Sequence, residues 1–124
     1  MAEPLGLLLL SGGHERAHYA LVLATAAAAI GRGVTLFASN AGCRLLLDPC
    51  PLLADPREAL LRARGVADLA TLLSAAEELG VQRLVCEAGL RAEGLVEAPL
   101  APGVERSGVV GFLAAIGRGQ IITL

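Results

Sequence analysis

The chain has 124 residues and a mass of 12.6 kDa, with 55% apolar residues, 18% charged residues, a mean hydropathy of +0.65 and a formal net charge of -2. An ordinary soluble domain has roughly 45–50% apolar and about 25% charged residues, so disorder is excluded and more apolar surface is present than one copy comfortably covers. That excess predicts a homo-oligomer built from a single domain, residues 1–124.

All ten cationic residues are arginines placed singly along the chain, and aromatics are 2% with no tryptophan. Neither a basic track for nucleic acid nor a stacking platform for bases can be built from that composition. A bilayer span needs about 18 to 20 apolar residues, and the longest stretches, Leu5 to Leu10 and Ala20 to Ile30, fall short. Met1-Ala2-Glu3-Pro4 puts no basic segment ahead of the leucine run, which predicts no secretory leader and a cytoplasmic protein.

The leucine run Leu5 to Leu10 reads as a strand buried on both faces and stopped by Ser11-Gly12-Gly13. His14 to Ile30, free of glycine and proline, reads as a helix closed by Gly31, and Val34 to Ala38 as the second strand. Ser39-Asn40 then opens a short helix over Ala41 to Leu47. Three prolines between residues 48 and 57 mark an irregular, mobile excursion. Helices are expected over Pro56 to Arg64 and Asp68 to Leu79, closed by Gly65 and Gly80, with a third strand over Val81 to Cys86. Leu95-Val96-Glu97 is the candidate fourth strand, Ser107 to Ile116 a last helix with Ser107 as its N-cap, and Gln120 to Leu124 a terminal strand. Continuously apolar strands alternating with helices argue for a parallel sheet covered on both faces.

In such a sheet, ligands bind beyond the carboxyl ends of the strands. Four segments fall on that edge: the turn after the first strand, Asn40 to Arg44 after the second, Cys86-Glu87 after the third, and Glu97 to Arg106 after the candidate fourth. The turn Ser11, Gly12, Gly13 and His14 opens a helix and reads either as an anion cradle or as a plain tight turn, since it has neither the Walker lysine nor the three-glycine dinucleotide pattern. His14 and His18 share a helix face, but no Glu stands between them in the metalloprotease arrangement and no third ligand is fixed. No metal is expected.

Cys43, Cys50 and Cys86 form an odd set without a C-x-x-C pair, so free thiols in a reducing compartment are expected. Cys86 reads either as a strand-end cysteine filling a gap or as a reactive thiol. For the second reading, the segment after it can bring a helix N-terminus or backbone amides to the sulfur, with Arg44 and Arg91 in reach and Glu87 opposing.

Gly65-Val66 through Gly80-Val81, Leu84-Val85-Cys86-Glu87 to Gly94-Leu95, and Gly103-Val104-Glu105 to Gly111-Phe112-Leu113 together resemble the DsrE/DsrF-like family, in particular its branch that carries a peroxiredoxin label. The likeness extends to Leu7-Ser11-Gly12 and to Val34-Thr35-Leu36-Phe37 with Gly42. It implies a three-layer α/β/α sandwich around a five-stranded, mainly parallel sheet with flavodoxin-like layering, assembled as a trimer or hexamer. It also implies sulfur relay: a cysteine after the third strand, matched by Cys86, takes sulfur as a persulfide from a donor protein and passes it to an acceptor protein, without a cofactor. Ser11, Gly12 and Gly13 would shape the pocket rim. Ala88 and Leu90 stand where the related branch has methionines, and Cys43 where the family has an apolar residue. A peroxidase needs an Arg and a Thr or Ser around its peroxide, which this sequence does not assemble. Two other classes stay open at this stage. One is a non-catalytic module holding an anion or nucleotide at the same edge, and the other is a structural subunit with an incidental thiol.

Overall fold

A strand of leucines with no polar side chain must be covered on both faces. In the computed structural model, which describes residues 3–124, β1 (Leu5–Leu9) lies inside the sheet between β2 (Val34–Ala38) and β5 (Gln120–Thr123). Beyond β2 come β3 (Gln82–Cys86) and the edge strand β4 (Glu105–Ser107). The order is β4-β3-β2-β1-β5, and every pairing is parallel. Met1 and Ala2, the start of the segment read for a leader, lie outside the described residues.

The steps from β1 to β4 all run in one direction across the sheet, so right-handed crossovers put their helices on one face. There α1 (His14–Ala29) packs on α3 (Leu69–Glu78), with α2 (Arg57–Ala63) preceding α3. The return from β4 to β5 runs the other way, which places α5 (Val109–Ile116) on the opposite face, against β1 and β2. Three layers result. The larger core gathers Leu5, Leu7 and Leu9 with Ala17, Leu21 and Leu36 on the α1 side. A smaller one, Phe37, Leu84, Cys86, Phe112 and Ile116, lies under α5, where the Phe37 and Phe112 rings stack 4.8 Å apart.

Helices stop where glycine was read as the stop: Gly31, Gly65 and Gly80 all take left-handed backbone angles. Asp68 is the N-cap of α3 rather than its first residue, its carboxylate accepting from Thr71 N at 2.8 Å. The short helix after β2 is a 3-10 helix over Asn40–Leu46, and the proline excursion holds another over Pro51–Ala54.

The fourth strand is not where its apolar residues pointed. Leu95-Val96-Glu97 falls in a turn, and the strand is Glu105–Ser107, whose side chains are exposed or half-buried. An edge strand three residues long with two charged side chains carries no hydrophobic period to read. Ser107 ends this strand, and the N-cap of α5 is Gly108. Among the described residues, no helix is long and apolar enough to cross a membrane.

Candidate functional site

Residues 86 to 89 are the turning point from β3 into the helix α4 (Glu87–Ala92). Cys86 is the last residue of the strand and the N-cap of the helix at once, and its Sγ accepts from Gly89 N at 3.4 Å. The thiol is 8% exposed, so it sits at the surface of the small core rather than inside it. An amide aimed at sulfur stabilises negative charge there, which is the charge of an attacking thiolate.

Gly89 is fixed by a close approach. A Cβ on it would stand 2.5 Å from Asn40 N and 2.6 Å from Ser39 Oγ, so α4 can seat against the start of the 3-10 helix only without a side chain at this position. Asn40 meets it in the left-handed region, φ 52, which Asn tolerates better than other residues with a Cβ. One turn on, Gly42 approaches the backbone of Leu9 so closely that a Cβ would lie 2.2 Å from its carbonyl oxygen. The edge segments after β1, β2 and β3 are thereby locked side by side, and Arg44 Nη1 closes the group with an ion pair to Glu93 at 2.6 Å.

Cys43 is set deeper than Cys86. Cys43 is fully buried, with its Sγ 3.7 Å from Ala38 O, and burial first, then Cys86 and Glu93, push its pKa up to about 11. It is therefore held as the neutral thiol. Cys50 is half-buried and also raised, chiefly by burial. All three cysteines are unpaired.

The sequence-selected residues separate into two places along the edge. Ser11 lines a cavity of about 400 Å³ with Leu10, Arg16, Thr123 and Leu124 at the ends of β1 and β5. Gly12 packs against Ala41, and Gly13 donates its N–H to Ser11 Oγ at 3.1 Å. Glu87 belongs instead to a cavity of about 220 Å³ between α4 and β4, shared with Arg91, Val96 and Arg106. His14 joins neither rim: its ring is 4% exposed and its Nε2 lies 2.6 Å from Glu58 Oε1. His18 is stacked on it at 5.9 Å and spends its Nε2 on Ala67 O. Among the described residues, no three of His, Cys, Asp and Glu gather around one point.

Arg44 does not serve Cys86 as read from sequence, because Glu93 holds its guanidinium. Ser107 was missed as a site residue. It stands in register opposite Cys86 on β4, a juxtaposition with no sequence signal because β4 itself had none. The stretch Glu97 to Arg106 leads into β4 rather than out of it, so it reaches the edge only through Arg106.

The family model of the DsrE/DsrF-like family matches residues 6–124. The chain belongs to the DsrE/DsrF-like family. Its fold is also that of a solved structure, the ychN protein from E. coli, at a TM-score of 0.74 and 18% identity, with each chain covered over 100% of its length. No curated protein sequence matches it. This DsrE-like chain thus carries a five-stranded, all-parallel version of the sandwich, with Cys86 at the carboxyl edge of its third strand.

Proposed function

We propose that this DsrE-like protein is a persulfide carrier whose acceptor atom is Cys86 Sγ. The single observation that carries the reading is the position of that sulfur: the last atom group of a buried strand, at the ligand-binding edge, with the Gly89 amide donating to it. Members of the family are often linked to sulfur relay, which supports the same reading. In the loading step the thiolate attacks the outer sulfur of a donor persulfide. A new S–S bond forms at Cys86, the donor's S–S bond breaks, and its electron pair leaves with the donor thiolate. Transfer to the acceptor protein is the same exchange in reverse. Neither step consumes an oxidant or a cofactor, and three unpaired cysteines fit a reducing, cytoplasmic setting.

The test is intact-mass spectrometry after exposure to polysulfide, with Cys86→Ser, Cys43→Ser and Cys50→Ser in parallel. A gain of one sulfur atom that disappears only in Cys86→Ser is expected. Loading that persists in Cys86→Ser, or that spreads evenly over the three thiols, overturns the reading.

The carrier is also proposed to work as a trimer or hexamer. On α5, an eight-residue helix without a charge, only Phe112 and Ile116 are buried, while Val110 is 77% exposed and Val109 and Leu113 are each 52% exposed. Sedimentation velocity should find an oligomer that Val110→Glu with Leu113→Glu dissociates; a wild-type monomer refutes this part. A second reading, an anion-holding module, is favoured by the cavity that Ser11 and Arg16 line. It requires phosphate to raise the melting temperature of the wild type and of Cys86→Ser alike.

A further inference from the structure

Cys86 and Ser107 are register partners on adjacent parallel strands, so their side chains leave the same face of the sheet. That face is the one under α5. Cys86 packs there with Phe37, Leu84, Phe112 and Ile116, and a Cβ on Gly111 of α5 would stand 2.8 Å from Ser107 Oγ. The serine hydroxyl thus occupies the place that a side chain at position 111 would take. Arg106, one residue earlier, pairs with Val85 and faces the other way.

The two flanks of Cys86 differ. On the β2 side, Gly89, whose amide donates to Sγ, is pressed against Ser39 Oγ and Asn40 N, so that flank is filled. On the β4 side stands Ser107, and its hydroxyl gives its proton to Gly108 O at 3.4 Å, a long bond that a charged acceptor outcompetes. Neighbouring strands run about 4.8 Å apart, and an S–S bond is about 2 Å long. A second sulfur carried on Cys86 and turned toward β4 therefore comes within reach of Ser107, whereas Sγ itself takes its bond from Gly89. That outer sulfur bears the negative charge of an ionised persulfide, and an O–H given to a charged acceptor is the stronger kind of hydrogen bond.

We infer that the Ser107 hydroxyl holds the outer sulfur of a Cys86 persulfide by donating a hydrogen bond to it. The inference rests on the carrier reading above and adds the residue that stabilises the loaded state. In exchange with a small persulfide, the Cys86 thiolate forms its S–S bond to the outer sulfur, the donor's S–S bond breaks, and the electron pair leaves on the donor thiolate. Ser107 keeps its proton throughout. Its bond exists only once the second sulfur is in place, so it shifts the exchange toward the loaded protein and leaves the free thiol as it was.

The experiment is a competition in one tube. Chains with Ser107 and with Ser107→Ala, both carrying Cys50→Ser so that Cys86 is the accessible thiol, are brought to equilibrium with glutathione persulfide and glutathione, and intact mass separates the two chains and their loaded forms. The ratio of persulfide to free thiol should be roughly tenfold lower in Ser107→Ala, as expected for losing one charge-assisted hydrogen bond. Measured separately, the rate of the unloaded Cys86 with iodoacetamide should be the same in both. Ser107→Thr keeps the hydroxyl and should return most of the ratio. Equal ratios in Ser107 and Ser107→Ala chains overturn the inference and spare the carrier. A Ser107 chain that takes up no sulfur at Cys86 overturns both. An iodoacetamide rate that falls together with the ratio in Ser107→Ala places the effect on the free thiol or the fold, and it also overturns the inference.

Discussion

His14 and Glu58, 44 residues apart in the chain, meet with Nε2 and Oε1 at 2.6 Å in a place where both are almost wholly buried. The Glu58 carboxylate also accepts from Leu69 N at 2.7 Å and Ala70 N at 3.3 Å. One side chain of α2 therefore ties the start of α1 to the start of α3, satisfying amides that the first turn of a helix leaves without partners.

Replacing Glu58 with alanine strands a buried imidazole and two helix-terminal amides. We expect Glu58→Ala to cost about 3–5 kcal/mol of unfolding free energy in urea titrations, as for one partner removed from a buried pair. Glu58→Gln keeps an acceptor oxygen and should cost clearly less; equal losses would show that the hydrogen bonds do not matter.

Gly42 tests the locking of the edge. Its Cβ position is 2.2 Å from a backbone oxygen of β1, which no side-chain rotation relieves. Gly42→Ala should destabilise by at least about 1–3 kcal/mol, the usual range for overpacking. Gly108→Ala is the control, because a Cβ there meets nothing within 4 Å.

Asp68 makes stability depend on acid. Hydrogen bonding by Thr71 first, then Arg62, holds its carboxyl well below its ordinary value of 3.8. A carboxylate depressed in the native state stabilises it fully above the unfolded value and loses that contribution as pH falls below 3.8 toward the depressed one. Urea midpoints measured at about pH 5 and about pH 2.5 should therefore drop less in Asp68→Asn than in the wild type. An identical drop would remove Asp68 from the acid limb.

Cys43 is expected to be silent in the folded protein. With a pKa near 11 and no exposure, it should escape iodoacetamide at pH 8 until urea unfolds the chain, as peptide mapping would reveal. Because its unfolded value is 9.0, the folded state holds the proton more tightly and stability should fall as pH rises above 9. Labelling of Cys43 in the native protein at the rate of Cys86 would contradict its burial.

The parts legible in the sequence were those written in local periodicity. The leucine run, the Ala-rich helix closed by Gly31, the all-apolar Val34–Ala38 and the strand ending at Cys86 each carry their signal within a few residues, and each formed nearly where it was expected. Glu105–Ser107 did not, since an exposed edge strand needs hydrogen bonds from a neighbour and no buried face of its own. The site followed the same division. Cys86 was marked by its place at a strand end, whereas Ser107 opposite it, Glu58 beneath His14, and Arg106 beside Glu87 come from segments far apart in the chain.

The order of apolar, polar and glycine residues by itself determined the alternation of strands and helices, and with it the layered class and the edge on which chemistry can occur. Which side chains meet on that edge was decided only by the tertiary structure. Pairing between β3 and β4, the seating of Gly89 on Asn40 and the return of α5 across the sheet are contacts over long loops. Their partners are selected by packing and hydrogen-bond satisfaction in three dimensions, which no run of neighbouring residues encodes.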